Sequence, residues 1–102
     1  MFDIMKQAQQ LQSRMATMQQ ELEAAEVEGR AGGGMVTIVM SGKGEVKKVS
    51  VDPSLMKEDE REILEDLIVA ACADAKSKAE QLAAEKMKSV AGGLPLPPGL
   101  GL

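Results

Sequence analysis

From Ile4 onward the chain repeats an apolar step of four, then three. Ile4, Ala8, Leu11, Met15, Met18, Leu22 and Ala25 fall on one stripe, with mostly polar or charged residues between them. A stripe of two positions in seven is the seam of a coiled coil, narrower than the face a helix lays on a globular core. The pattern predicts a helix from about Asp3 to about Glu26, roughly 36 Å long. A compact chain of this length has a radius of gyration of only about 13 Å. Such a helix projects, and its seam needs another helix to cover it.

The heptad stops where glycine appears, at Val27-Glu28-Gly29-Arg30-Ala31, and Gly32-Gly33-Gly34 signals a tight turn. Met35 to Met40 is rich in β-branched residues and is bounded by Ser41-Gly42-Lys43-Gly44. A second alternating run, Val46 to Val51, ends at Asp52-Pro53. With Val27 to Ala31 as a first strand, the two glycine-containing connections make a three-stranded antiparallel meander. In the last strand Val49 and Val51 share a face with Lys47, and Val46 shares the other with Lys48 and Ser50. At least one strand edge is open, which invites a second copy. Asp52-Pro53-Ser54-Leu55 enters a short helical turn, with Asp52 as its acceptor. From about Lys57 to about Val90, apolar residues again recur at three- and four-residue steps, from Leu64 and Leu67 through Ala71, Ala75 and Ala79 to Leu82. The alanines admit a close neighbour. Gly92-Gly93 stops this second helix, and residues 94–102 form an apolar, Pro/Gly-rich tail expected to be extended.

The 102 residues suit a single domain with a modest core. Phe2 is the only aromatic residue, which makes association a natural source of further burial. One cysteine, Cys72, excludes an internal disulfide and fits a reducing cytoplasm. No leader-like or membrane-spanning apolar run is present, so no membrane is expected as a partner.

The net charge of −4 by itself argues against a nucleic-acid partner. Its distribution changes that picture. Six acids lie between Glu58 and Asp66, against Arg61 alone. They suit the start of the second helix, where the helix dipole favours negative charge. Lys76, Lys78, Lys86 and Lys88 outnumber the acids between Asp74 and Lys88, and Lys6 with Arg14 outnumber Asp3 over residues 1–20. Lys6 and Arg14 are eight apart, about 80° around a helix, and so are Lys78 and Lys86.

Candidate chemistry is scarce. Without histidine the usual base near neutral pH is missing. Cys72 has no partner base, and neither glycine cluster has a phosphate-loop spacing or precedes a helix. An enzyme is not expected, nor a small-molecule substrate, metal or cofactor. With no aromatic platform for bases, any nucleic acid bound should be duplex, held by its phosphates with little base reading.

Met5-Lys6-Gln7-Ala8-Gln9-Gln10, Glu26-Val27-Glu28-Gly29, Ala31-Gly32-Gly33-Gly34 and Val51-Asp52-Pro53-Ser54-Leu55 occur in this order. Leu64-Glu65-Asp66-Leu67, Glu85-Lys86-Met87 and Leu96-Pro97-Pro98-Gly99 follow them. The set resembles the YbaB/EbfC family of bacterial nucleoid-associated proteins over essentially the whole chain. The resemblance implies an α+β fold: an α-β-β-β-α protomer whose three-stranded antiparallel sheet is flanked by two long helices, in an intertwined, tweezer-like homodimer. Residues 1–93 would be a single DNA-binding domain and residues 94–102 its tail. It further implies a protein of the cytoplasm and nucleoid that binds double-stranded DNA, alters its conformation, and influences nucleoid organisation, gene expression and DNA protection. Lys6, Arg14, Lys78 and Lys86 match basic positions of the family's projecting helices. Lys76 and Lys88 join them on charge and proximity. Ser77 and Ala84 stand where relatives often carry further basic residues. The competing expectation is a scaffold dimer that docks replication or recombination-repair components without touching DNA.

Overall fold

The computed structural model describes residues 2–91. The tail 94–102 and the Gly92-Gly93 helix stop lie outside them. The elements run α1 (Phe2–Ala24), β1 (Glu26–Ala31), β2 (Val36–Ser41), β3 (Val46–Val51) and α2 (Arg61–Ala91). The three strands form one antiparallel sheet in the order β1-β2-β3. This is the α+β arrangement expected from the pattern.

Each connection follows from its residues. Gly32, Gly33 and Gly34 all have positive φ (63°, 68° and 96°) and form one tight 3-10 turn, a conformation that costs other residues strain. At the β2–β3 turn, Ser41 is buried but satisfied, because its Oγ accepts the Lys43 and Glu45 N–H groups, each at 3.2 Å. The Gly42 N–H donates to the Leu22 carbonyl at 2.8 Å, so the hairpin ties off a carbonyl left over at the end of α1. After β3, Asp52 Oδ1 accepts the Ser54 N–H at 2.8 Å, the expected acceptor role, and drops Leu55 into the core.

One layer of helix covers one face of the sheet. Val36, Ile38 and Met40 of β2 meet Ala71, Ala75 and Ala79 of α2, together with Leu55. The alanine stripe has a specific counterpart in Gly29 of β1. A Cβ at Gly29 would overlap the Ala71 carbonyl oxygen and the Ala75 backbone nitrogen, so strand and helix backbones lie almost in contact. Burial here comes from close approach instead of bulk, which suits a chain nearly without aromatics.

Two expectations need correction. The helix boundaries shift: α1 stops at Ala24 and Glu26 opens β1, while Glu58–Glu60 form a separate 3-10 turn and α2 begins at Arg61 instead of Lys57. Val46 does not face away from Val49 and Val51. The pairing steps from Val39↔Lys48 to Met40↔Val46, so Lys47 is the extra residue of a β-bulge. Opposed residues in an antiparallel pair share a face, so Val46, Val49 and Val51 all lie on the side of Met40, Ile38 and Val36. The seam of α1, whose cover the sequence leaves open, is half covered within one chain. Met18 and Leu22 are buried, but Leu11 is 37% and Ile4 70% exposed.

The molecule is correspondingly long. Its radius of gyration is 19.1 Å and its extents are 68 × 27 × 15 Å. The two helices run antiparallel side by side where Glu21 of α1 reaches Lys86 of α2, and α1 continues past the last described turn of α2.

Candidate nucleic-acid interface

One half of the protomer comprises α1 up to about Gln20 and α2 from about Lys76, whose Ala79 and Lys78 still pack on the sheet before the helix runs on beside α1. It carries Lys6, Arg14, Lys76, Lys78, Lys86 and Lys88 against Asp3, Glu80 and Glu85. With 12 basic and 16 acidic residues in all, the rest of the chain holds six basic against thirteen acidic. An acidic protein thus has a cationic half, because most of its acids lie from Glu21 to Glu28 and from Glu58 to Asp66.

The six candidate cations do not share one face. Arg14 and Lys86 line a groove of about 440 Å³ between the two helices, with Ser13, Thr17, Met18 and Glu21. Lys86 Nζ donates to Glu21 Oε2 at 2.7 Å across it. Lys76 and Lys78 are two residues apart, about 200° around the helix, and so occupy different flanks of α2. Lys78 is tied down: its Nζ donates to the Glu28 carbonyl at 2.7 Å and pairs with Asp74 at 3.2 Å, fastening α2 to β1. Lys76 borders a second groove, of about 400 Å³, with Leu22, Lys43, Ala79 and Ala83. Lys6 and Lys88 are exposed, and among the described residues no ion pair engages Lys6, Arg14, Lys76 or Lys88.

Lys43 extends this surface. It sits in the β2–β3 turn, beside the same groove as Lys76, and pairs with Glu23 at 3.3 Å. In sequence its flanking glycines mark only a hairpin, and nothing signals that the turn returns to the end of α1. The Asp74 carboxylate accepts the Arg30 N–H at 3.0 Å and holds Lys78. The Arg30 backbone bond, with help from Lys78, lowers its pKa below the ordinary carboxylate value. Asp52 is lowered likewise by the Ser54 N–H.

Among the described residues no group of three or more His, Cys, Asp or Glu is placed to hold a metal ion, and no helix is long and apolar enough to cross a membrane. The sequence pattern of the YbaB/EbfC DNA-binding family matches residues 1–94. The chain belongs to this family. It is 63% identical to a nucleoid-associated protein of Nitrobacter hamburgensis over 97% of this chain and 93% of that one. A nucleoid-associated protein of Agrobacterium fabrum is 58% identical over 97% and 92% of the two chains. The fold is shared with an uncharacterized protein of Helicobacter pylori, at a TM-score of 0.70 and 20% identity, over 88% of this chain and 90% of that one. In YbaB/EbfC terms, the matched segment takes in both arms and the whole sheet.

Proposed function

We propose that this protein is a nucleoid-associated, non-enzymatic protein that binds duplex DNA as a homodimer, gripping phosphates with the cations of its projecting helices and altering the path of the DNA. The observation that carries this reading is the segregation of charge: an acidic chain in a DNA-binding family places an excess of positive charge on its two arms. Lys6, Arg14, Lys76 and Lys88 are the foremost contacts, since among the described residues no ion pair competes for them. Lys86 joins them at the cost of its link to Glu21. Lys78 contributes charge while serving chiefly to anchor α2.

Dimerisation is supported by what α2 leaves uncovered. The helix lies over β1 and β2, and on the same face of β3 Val46 stays 52% and Val49 48% exposed. Val69, Cys72, Lys76 and Ala83 recur on one flank of α2, and the last two line the groove beside the β2–β3 turn. Exposed Val69 therefore continues the same apolar surface. A second copy seated there would bury the open strand and set two pairs of arms about a two-fold axis.

A mobility-shift series on a duplex tests the mechanism. With about six phosphates neutralised, affinity should fall about 10³-fold between about 50 and about 200 mM salt. Replacing Lys6, Arg14 and Lys88 together by Gln should weaken binding on every duplex sequence alike and flatten that salt slope. Binding that ignores salt would refute the phosphate grip and favour the scaffold alternative.

A further inference from the structure

We propose that the apolar tail, residues 94–102, docks along the uncovered seam of α1 in its own chain and completes the helix pairing that α2 begins. On the described residues, α2 leaves off beside α1: Val90 lines the same groove as Ser13, Arg14 and Met18. Beyond that groove α1 runs on with Leu11, Ala8 and Ile4 exposed, although they continue the stripe that α2 buries at Met18 and Leu22. The last described turn of α2 therefore ends at the edge of this open stripe.

Its length and composition suit the site. From Leu94 to Leu102 the tail has no charged residue and carries leucines at 94, 96, 100 and 102. A proline-rich chain, when extended, advances about 3.1 Å per residue and repeats every three, which would set leucines six apart about 19 Å from each other on one edge. The stripe from Ile4 to Met15 spans about 16 Å of helix. Both leucine pairs, 94 with 100 and 96 with 102, match that span. A second copy is the weaker occupant: the uncovered β3 surface adjoins the Leu22 end of α1, about 27 Å along the helix from Ile4. Lys6 points away from the stripe, two residues and about 200° from Ile4, so a docked tail leaves it free. The assignment does not depend on DNA binding.

Two measurements on the dimer without DNA test it. In the first, a nitroxide is attached at Leu96→Cys in a Cys72→Ala background. Amide signals of residues 8–15 should lose intensity severalfold, with those of β3 unaffected. Unchanged α1 signals, or a loss centred on β3, would overturn the proposal. A loss seen on isotope-labelled chains lacking the nitroxide, mixed with nitroxide-bearing unlabelled chains, would assign the tail to the partner and overturn docking within the chain. In the second, the unmodified protein is compared with a chain ending at Gly93 by amide exchange. Exchange of residues 5–12 should quicken severalfold with the sheet unchanged; equal rates in the two proteins would overturn the proposal without relying on any substituted residue.

Discussion

Gly29 sits where a strand and a helix come closest, and its missing side chain sets that distance. Its would-be Cβ neighbours are backbone atoms of Ala71 and Ala75, which cannot swing aside. Gly29→Ala must push α2 off the sheet, and we expect a loss of about 2–3 kcal/mol in urea unfolding. Gly33 is the natural control. An added Cβ there meets nothing within 4 Å, and the penalty comes only from its φ of +68°. Gly33→Ala should cost about 1–2 kcal/mol. Asp74 makes a residue-scale prediction in pH. Its pKa is lowered in the fold by the Arg30 N–H and Lys78, so its stabilising effect is complete above the unfolded carboxylate value of about 3.9. The effect is lost as pH falls through the lower folded value. Asp74→Asn should therefore reduce stability at neutral pH and flatten part of the acid limb of an unfolding midpoint-versus-pH curve. Asp52, lowered in the same sense, leaves the remainder of that limb in place.

Among the elements, α1 and the Asp52 turn are legible in the sequence alone, because each is written in local spacing: the heptad for one, Asp-Pro-Ser for the other. The bulge at Lys47 was not legible. Strict alternation puts Val46 opposite to Val49, and only the pairing with Met40 reverses it. The α2 alanines announced close packing without naming Gly29 as the partner, since that contact joins residues more than forty apart. The candidate cations were legible as a charge excess but not as a surface. Their internal ties to Glu21, Glu28 and Asp74 depend on how α2 lies across the sheet and α1. This separates two lysines that sequence treats alike. Lys78 is an anchor as well as a charge, so Lys78→Gln should cost about 0.5–1 kcal/mol of stability along with any loss of DNA affinity. Lys88→Gln should lower DNA affinity by a similar factor while leaving the unfolding midpoint within error. Paired denaturation and mobility-shift measurements on both variants check the contrast.

For the whole molecule, little aromatic area and an open edge strand favour further burial against a second copy. On the proposed reading the dimer surface and the DNA surface overlap at Lys76, so a substitution away from it alters one alone. Val49 is half exposed on β3. Val49→Glu places a charge where the second copy would sit, yet within one chain that charge still reaches water. We expect sedimentation equilibrium to report a halved mass, with far-UV circular dichroism close to that of the parent. DNA retention should fall by more than any single arm substitution produces. Each lost phosphate contact removes about 0.9 from the salt slope, whereas loss of the dimer divides the number of arms by two. The slope for Val49→Glu should thus be near half the parent's, although no basic residue has changed. A full slope at halved mass would mean that one protomer makes every contact, and the two-fold grip would have to be abandoned.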